Sequence, residues 1–355
     1  VTLESYSDIA AALSQTFDRD LYHQFNREAT FLSLLEARPA TDKTLSWDVE
    51  FTGSGTTPGA VAEGSDVAAG EFNTDKPVPA SLPTGLYRAA FHMSDSEIKK
   101  ARISGGSPEA LVNILGDRML TKGAYLASII NQDLFSGTGT STLGVGGQPN
   151  IIGLYGGAIA ASGIYANINQ ATFSEWASTV LANGGVSRPL SVGLLDQAEE
   201  QLFLKCGRSP NFIMTTAGVR RKYSGLFEEV RRIVGDGMGN MSRNAGSKEL
   251  FYQGEPVRRD KDAPTGKLIM GCAEFMRVEF LPPLDLDEEG VRKKMAMLQG
   301  TTGDPGARLT GTSIPFEITP LAKNGNSVKF MLSLELQLKI LRRNAFVVIN
   351  DIDQT

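Results

Sequence analysis

Imidazole and thiol groups, the commonest carriers of nucleophilic and transition-metal chemistry, number four in this 355-residue chain: His23, His92, Cys206 and Cys272. The histidines stand far apart in the sequence, which removes most metal sites and weakens any Ser-His or Cys-His scheme. The cysteines show no local thiolate or metal-ligand pattern, and buried free cysteines are common. With only two, a disulfide framework is excluded and a reducing compartment is the simple reading. No P-loop sequence occurs. Gly235-Asp236-Gly237-Met238-Gly239 follows a helical pattern and leads into a polar loop, the wrong order for dinucleotide binding, so it reads as a mobile linker. Asp285, Asp287, Glu289 and Gly290 imitate the start of a calcium loop. Ala296 stands where the bidentate Glu belongs, and Glu289 is longer than the usual Asp or Asn, so a solvated acidic loop is the better reading. Basic pairs recur at Lys99-Lys100, Arg220-Arg221, Arg231-Arg232, Arg258-Arg259 and Arg342-Arg343. They are either solvated helix faces and turns or Arg–carboxylate contacts between subunits, where the planar guanidinium is favoured. No constellation supports an enzyme, and no cofactor is implied.

Composition narrows the class further. Hydrophobic residues make up 41% and charged residues 21%, with a mean hydropathy of -0.13. This is an ordinary globular balance that excludes wholesale disorder. Lys plus Arg number 35 against 40 Asp plus Glu, a formal charge of -5. There is no basic tail, so binding nucleic acid by bulk phosphate neutralisation is not expected. The length implies two domains or one elaborated domain. Residues 1–10 lack the basic start and apolar core of a signal peptide. Between Asp133 and Glu175 no residue is charged, and 151–165 is mostly apolar. A membrane helix needs about 20 apolar residues. This run is shorter and is broken by Gly153, Gly156, Gly157 and Gly163, so it reads as a Gly-rich segment packed under other protein.

The elements that would position anything are clearer. Residues 1–42 read as a helical lead-in: Leu13, Phe17, Leu21 and Phe25 form a stripe, and Phe31, Leu32, Leu34 and Leu35 follow before Pro39. The stripe lies either on its own core or on a neighbouring subunit. Leu45, Trp47, Val49 and Phe51 alternate with polar residues as a half-buried strand, and Tyr87, Ala89, Phe91 and Met93 read as its return strand. The intervening 52–85 is rich in Gly, Pro, Ala, Thr and Ser, with little strand pattern. Loops beyond about 12–15 residues without structure of their own are uncommon. A compact chain of this size has a radius of gyration of roughly 20 Å, whereas each leg of a hairpin from Lys43 to Met93 could reach about 80 Å fully extended. Such a segment is either a flexible loop or an arm laid on a neighbour, which would then satisfy its backbone polar groups.

Ser107-Pro108-Glu109 opens a long helix whose face is Leu111, Leu115, Met119, Ala127, Ile130 and Leu134, ended by Gly137 and Gly139. The middle of the chain reads as α/β. A helix with Leu194, Leu195, Ala198 and Leu202 ends at Gly207, a strand spans 212–214, and Thr216 starts a helix lined by Val219, Tyr223, Phe227, Val230 and Val234. Short strands follow near 250–252, 268–270 and 275–280. The clearest strand is last: Val328, Phe330, Leu332, Leu334, Leu336, Leu338 and Ile340 alternate with polar partners. Asn324-Gly325 pairs it with 313–319. Arg342-Arg343-Asn344 turns into a final strand at 345–349. No internal repeat is present.

This order of elements resembles the major capsid protein of tailed double-stranded DNA bacteriophages, in the Hong Kong 97-type fold. Asp133-Leu134-Phe135-Ser136-Gly137-Thr138-Gly139, with Gln148-Pro149 and Gly153-Leu154, is similar to the segment after that family's spine helix. The run from Glu335-Leu336-Gln337-Leu338-Lys339-Ile340 to Phe346-Val347-Val348 is similar to its closing strands. The resemblance implies an α+β fold with an N-arm (1–42), an extended E-loop (43–93), a peripheral domain with a spine helix (94–150), an axial domain (151–304), long peripheral strands (305–343) and a closing axial strand (344–355). It implies a structural subunit that self-assembles as hexamers and pentamers into an icosahedral shell around double-stranded DNA, without catalysis or cofactor. Partners would be sister copies, with scaffold, portal and decoration proteins and weak non-specific contact with DNA, and no membrane. The location would be the virion, after assembly in the host cytoplasm. Residues at subunit contacts would be Phe17, Phe25, Trp47, Phe51, Lys76, Tyr87, Arg231 and Arg232. Some relatives cross-link an E-loop Lys to an Asn on a neighbour, and Lys76 is the only Lys of 52–85. No charged scaffold-like segment precedes Val1, so any assembly-directing region would be absent, removed or separate. From another class, the long loop also fits a peptide- or carbohydrate-binding surface module.

Overall fold

A computed structural model describes residues 29–51, 77–96, 108–140, 150–160, 162–226, 250–282, 314, 316–321 and 326–354. It divides into two compact units, one of Val1–Ala29, Tyr87–Ile129 and Pro282–Leu334, the other of Thr30–Leu86, Ile130–Leu281 and Glu335–Thr355.

In the described part of the lead-in, helix α1 covers only Thr30–Leu34, and strand β1 (Glu36–Pro39) follows. The helical reading, which stops at Pro39, is therefore corrected for 36–38, which is strand. Pro39 cannot continue a helix, and 36–39 instead pairs in parallel with strand β12 (Met276–Phe280). The first amides of α1 lack intrahelical acceptors. Phe31 N–H donates to Asp260 Oδ2 at 2.9 Å and Leu32 N–H to Asn131 Oδ1 at 3.1 Å, while Asn131 Nδ2 donates to Asp262 Oδ2 at 2.7 Å. The stripe Leu13–Phe25 lies outside the described residues.

Strands β2 (Thr44–Val49) and β3 (Val78–Pro83) form a two-stranded antiparallel sheet, with Leu45 opposite Leu82, Trp47 opposite Ala80 and Val49 opposite Val78. The return strand is thus Val78–Pro83, not Tyr87–Met93. Pro79 and Pro83 had hidden it. Proline lacks an N–H and is tolerated where a strand has a free edge, which a two-stranded sheet always offers. Strand β4 (Gly85–Ser94) pairs with the closing strand instead, and it buries Tyr87, Phe91 and Met93 as its alternation predicts.

Helix α2 (Pro108–Ser136) has 29 residues and is about 43 Å long. Met119, Ala127, Ile130 and Leu134 are buried along the predicted face. The Gly-rich run after it passes over the helix end. Gly153 N–H donates to Gly137 O at 2.8 Å, and Ile151, Leu154 and Ala158 are buried. A methyl group on Gly156 would lie 1.8 Å from Gly137 O, and one on Gly153 would lie 2.3 Å from Asp133 O. These glycines are present because two backbones cross in contact. No helix among the described residues is long and apolar enough to cross a membrane.

The tight hairpin of β5 (Ile164–Tyr165) and β6 (Ile168–Asn169) precedes a six-stranded sheet. Its members are β7 (Thr179–Leu181), β8 (Phe212–Thr215), β9 (Phe251–Tyr252), β10 (Glu255–Arg259), β11 (Leu268–Gly271) and β15 (Phe346–Ile349), in the order β7-β15-β11-β8-β10-β9. Helix α3 (Val192–Cys206) packs on β7, β11 and β15 through Leu194, Leu195, Ala198 and Leu202. Ser191 caps its start, and Gly207 ends it at φ 72°. Helix α4 (Ala217–Gly225) starts at Thr216 and buries Val219 and Tyr223; Phe227, Val230 and Val234 lie outside the described residues. Strand β10 escaped the sequence reading because Pro256 and two arginines interrupt its apolar pattern.

The second large sheet runs β1-β12-β14-β13, with β4 also on β14. Here β13 is Glu317–Leu321 and β14 is Ser327–Ile340, and residues 317–321 of β13 pair antiparallel with 329–333. The long closing strand is the one the alternation predicts, whereas its hairpin partner, predicted at 313–319, is Glu317–Leu321 and overlaps that range only at 317–319.

Substituting Gly156→Ala is expected to destabilise the protein by about 3 kcal/mol or more, because the new methyl would meet backbone atoms of Gly137 that cannot rotate away. Gly193→Ala, in α3 with open space around it, is expected to stabilise by roughly 0.5–1 kcal/mol. Urea denaturation of the two variants checks the contrast.

Candidate functional site at the root of the hairpin

The β2–β3 hairpin is fixed to the rest of its unit by the polar side chains of β14. Alternation predicts that Gln337 and Lys339 face water, yet Leu336, Gln337, Leu338, Lys339 and Ile340 are all buried. Each polar group therefore needs a partner. Gln337 Nε2 donates to Pro83 O at 2.8 Å, and its Oε1 accepts from Ile152 N–H at 3.0 Å. One amide thus holds the end of β3 and the Gly-rich run together. Next to it, Thr84 Oγ1 donates to Lys43 O at 3.0 Å, which closes the base of the hairpin.

Lys339 extends under the hairpin. Its Nζ lies 3.0 Å from Glu279 Oε1 and 4.8 Å from the ring centroid of Trp47. Arg277 Nη2 approaches the same carboxylate oxygen at 2.6 Å. Lys339 and Glu279 side chains are 6% and 9% exposed, so water screens the pair weakly and the cation–π contact is desolvated. Trp47 Nε1 is buried with no hydrogen-bond partner among the described residues.

Beyond β2, Phe51 stacks on Phe173 at 4.5 Å and meets the edge of Trp176 at 6.0 Å. Ser81 N–H donates to Ala166 O at 3.0 Å from the other leg. These contacts border a groove of about 690 Å³ lined by Asp48, Glu50, Glu175, Leu204, Lys205 and Arg342, among others. The groove carries both signs of charge. Burial lowers the pKa of Lys205, whose Nζ donates to Ala177 O at 3.2 Å.

Below the groove the basic pair Arg342-Arg343 splits. Arg342 sits over the Phe275 ring at 5.0 Å. Arg343 is fully buried, which corrects the reading of this pair as a solvated turn. Its Nε donates to Ala158 O at 2.6 Å and its Nη2 to Gly157 O at 2.9 Å. Desolvation pulls its pKa down to about 10, so it stays a cation at neutral pH. Arg220 Nε donates to Val257 O and Arg221 Nη2 to Gln354 O, while Arg258 and Arg259 are exposed on β10.

Of the predicted contact residues, the structure brings Trp47 and Phe51 to this root, where both rings have partners inside the chain. Tyr87 is buried in β4, in the other unit. Phe17, Phe25, Lys76, Arg231 and Arg232 lie outside the described residues, as do the Gly235–Gly239 and Asp285–Gly290 segments. Sequence reasoning missed Gln337, Lys339, Glu279 and Arg343. The one available signal was that polar residues in a strand so rich in Leu leave little room for a solvated face. Among the described residues no group of three or more His, Cys, Asp or Glu is placed to hold a metal.

No family model and no curated protein matches the sequence. Solved structures do. The capsid subunit of cyanophage A-1(L) aligns with a TM-score of 0.70 at 18% identity, over 95% of this chain and 96% of that one. A capsid protein of an empty GTA particle aligns at 0.56 and 13% identity, over 95% and 94%. The SrpI encapsulin of Synechococcus elongatus aligns at 0.52 and 12% identity, over 97% and 96%. Such near end-to-end likeness shows the fold, which is α+β and of the Hong Kong 97 type.

Breaking the buried carboxylate contact should be costly. Glu279→Ala leaves Lys339 buried without its carboxylate and is expected to lose about 3–5 kcal/mol. Lys339→Met keeps the stem against Trp47 and leaves Glu279 with Arg277, so a loss below about 1.5 kcal/mol is expected. Urea midpoints of the two variants distinguish them; equal losses would mean that the ion pair does not hold the root.

Proposed function

We propose that this chain is a major capsid protein, which assembles as hexamers and pentamers into an icosahedral shell enclosing double-stranded DNA. The observation that carries this reading is the similarity to the cyanophage capsid subunit over nearly the whole of both chains. Residues 1–42 are assigned as N-arm, 43–93 as E-loop, 94–150 and 305–343 as peripheral domain, and 151–304 with 344–355 as axial domain. Sister copies are the main partners; scaffold, portal and decoration proteins are further ones. Trp47, Phe51, Lys76, Tyr87, Phe17, Phe25, Arg231 and Arg232 remain the proposed contact residues. The groove beside Phe51 adds Glu50, Glu175 and Arg342 to them. The net charge of -5 supports a shell that touches packaged DNA weakly, because a strongly basic lining would hold the genome against packaging and release. The subunit acts without catalysis or cofactor, does not engage a membrane, assembles in the host cytoplasm and resides in the virion.

A second reading is a non-viral protein compartment, favoured by the similarity to the encapsulin. The TM-score favours the phage shell. No observation favours a peptide- or carbohydrate-binding module.

Sedimentation and negative-stain microscopy of the expressed chain are expected to give rings, tubes or closed shells. A monomer persisting at high concentration with its full sequence present would overturn the proposal. Particles from the native source are expected to hold nuclease-protected double-stranded DNA, whereas a protein cargo would favour the compartment. Replacing residues 53–76 by a short turn keeps β2 and β3 and is expected to leave a folded subunit that no longer forms shells.

A further inference from the structure

The two cysteines are 66 positions apart in sequence, yet the fold brings them together. Cys206 is the last residue of α3 and is 8% exposed; Cys272 follows β11 and is 1% exposed. Three backbone connections fix them to one place. The carbonyl of Lys205, in the peptide bond to Cys206, accepts from Asn344 Nδ2 at 3.4 Å. Cys272 N–H donates to the next residue of the same turn, Ala345 O, at 3.2 Å. Gly207 reverses the chain after α3, and Ser209 O then accepts from Cys272 Sγ at 3.7 Å. Asn211 ties the two segments on the far side, giving its N–H to Gly271 O at 3.0 Å and accepting Ala273 N–H at 2.7 Å. Burial first, and then the neighbouring Cys206 thiol, push the Cys272 thiol up to about 12. The Arg208–Glu274 ion pair lies alongside.

We propose that Cys206 and Cys272 are a built-in dithiol pair that closes to an intramolecular disulfide when the protein meets a low-molecular-weight disulfide oxidant such as glutathione disulfide. The order of events follows from burial. Cys206, the less buried, attacks one sulfur of the oxidant as a thiolate, forming a mixed disulfide and releasing one small thiol. Cys272 then attacks the Cys206 sulfur, the mixed disulfide breaks, and the second small thiol leaves with the Cys272 proton. Two protein thiols are oxidised and one small disulfide is reduced to two thiols. Cys272 is a poor first nucleophile because its thiol holds its proton, but contact with Cys206 makes the second step local. The closed bond joins the end of α3 to the end of β11 around a loop that includes β8, α4, β9 and β10. Thiol-rich surroundings keep the pair open, and oxidising ones close it.

The test uses the full reduced chain, before and after exposure to glutathione disulfide, with alkylation of free thiols under denaturing conditions. Two alkylated cysteines are expected before exposure and none after. A non-reducing peptide map should show Cys206 linked to Cys272, and the thermal midpoint should rise by roughly 5–15 °C and return with dithiothreitol. Cys272→Ser is expected to retain a glutathione adduct on Cys206. If that variant does not fold, the peptide map of the unaltered chain still decides. Two free thiols after exposure, separate glutathione adducts, or disulfides only between different molecules would each overturn the proposal.

Discussion

A strand buried on both faces cannot carry an unpartnered polar group without losing a large part of a domain's net stability. The five residues Leu336–Ile340 of β14 are in that position, and their requirements organise what surrounds them. On one edge β12 supplies a regular ladder, with Val278 opposite Leu338 and Phe280 opposite Leu336. On the other edge two side chains serve: Tyr165 OH accepts from Ile340 N–H at 3.1 Å and donates to Leu338 O at 3.3 Å, and Gln337 Oε1 accepts from Leu338 N–H at 3.0 Å. Gln337 and Lys339 reach outward to Pro83, Ile152, Glu279 and Trp47. The hairpin, the Gly-rich run and the β5–β6 turn are therefore located by what one strand needs in order to be buried.

How much of this was legible follows from which signals are local. The length of β14, the end of α3 at Gly207, the start of α4 at Thr216 and the end of α2 at Gly137 are written in periodicity and in residues with special backbone preferences. Strands β3 and β10 were not, because proline at a free edge looks like a break when the edge is unknown. The buried polar row was illegible for a deeper reason. Alternation states which residues share a face, but not whether the second face is also covered. The cysteine contact is illegible in the same way, since it depends on the turn at Asn344 and Ala345 that both segments meet.

Arg343 shows how such burial is tolerated without a carboxylate. Its guanidinium lies 5.5 Å from the Tyr165 ring centroid and binds the carbonyls of Gly157 and Ala158. Those carbonyls belong to an irregular turn, Leu154–Ala158, in which Gly157 has non-helical dihedrals, so the turn itself cannot satisfy them. A planar fork can bond two successive carbonyls at once; a lysine ammonium would present no matching geometry. The cation and the irregular backbone each offset part of the other's desolvation penalty, while Arg343 Nη1 is buried without a hydrogen-bond partner among the described residues.

The same logic explains why a fold can be shared at 18% identity. Most of the positions that determine this architecture constrain space or hydrogen bonding rather than residue identity. The crossing of Gly153 and Gly156 over the end of α2 demands the absence of a side chain. The doubly covered half of β14 demands that every polar atom be answered, by whichever residues are within reach. A chain that meets those demands with Lys339, Glu279 and Trp47 could meet them with other sets of comparable volume and pairing. The root of the hairpin is thus held by contacts within the one chain, each of them between side chains and backbone that the fold itself brings together.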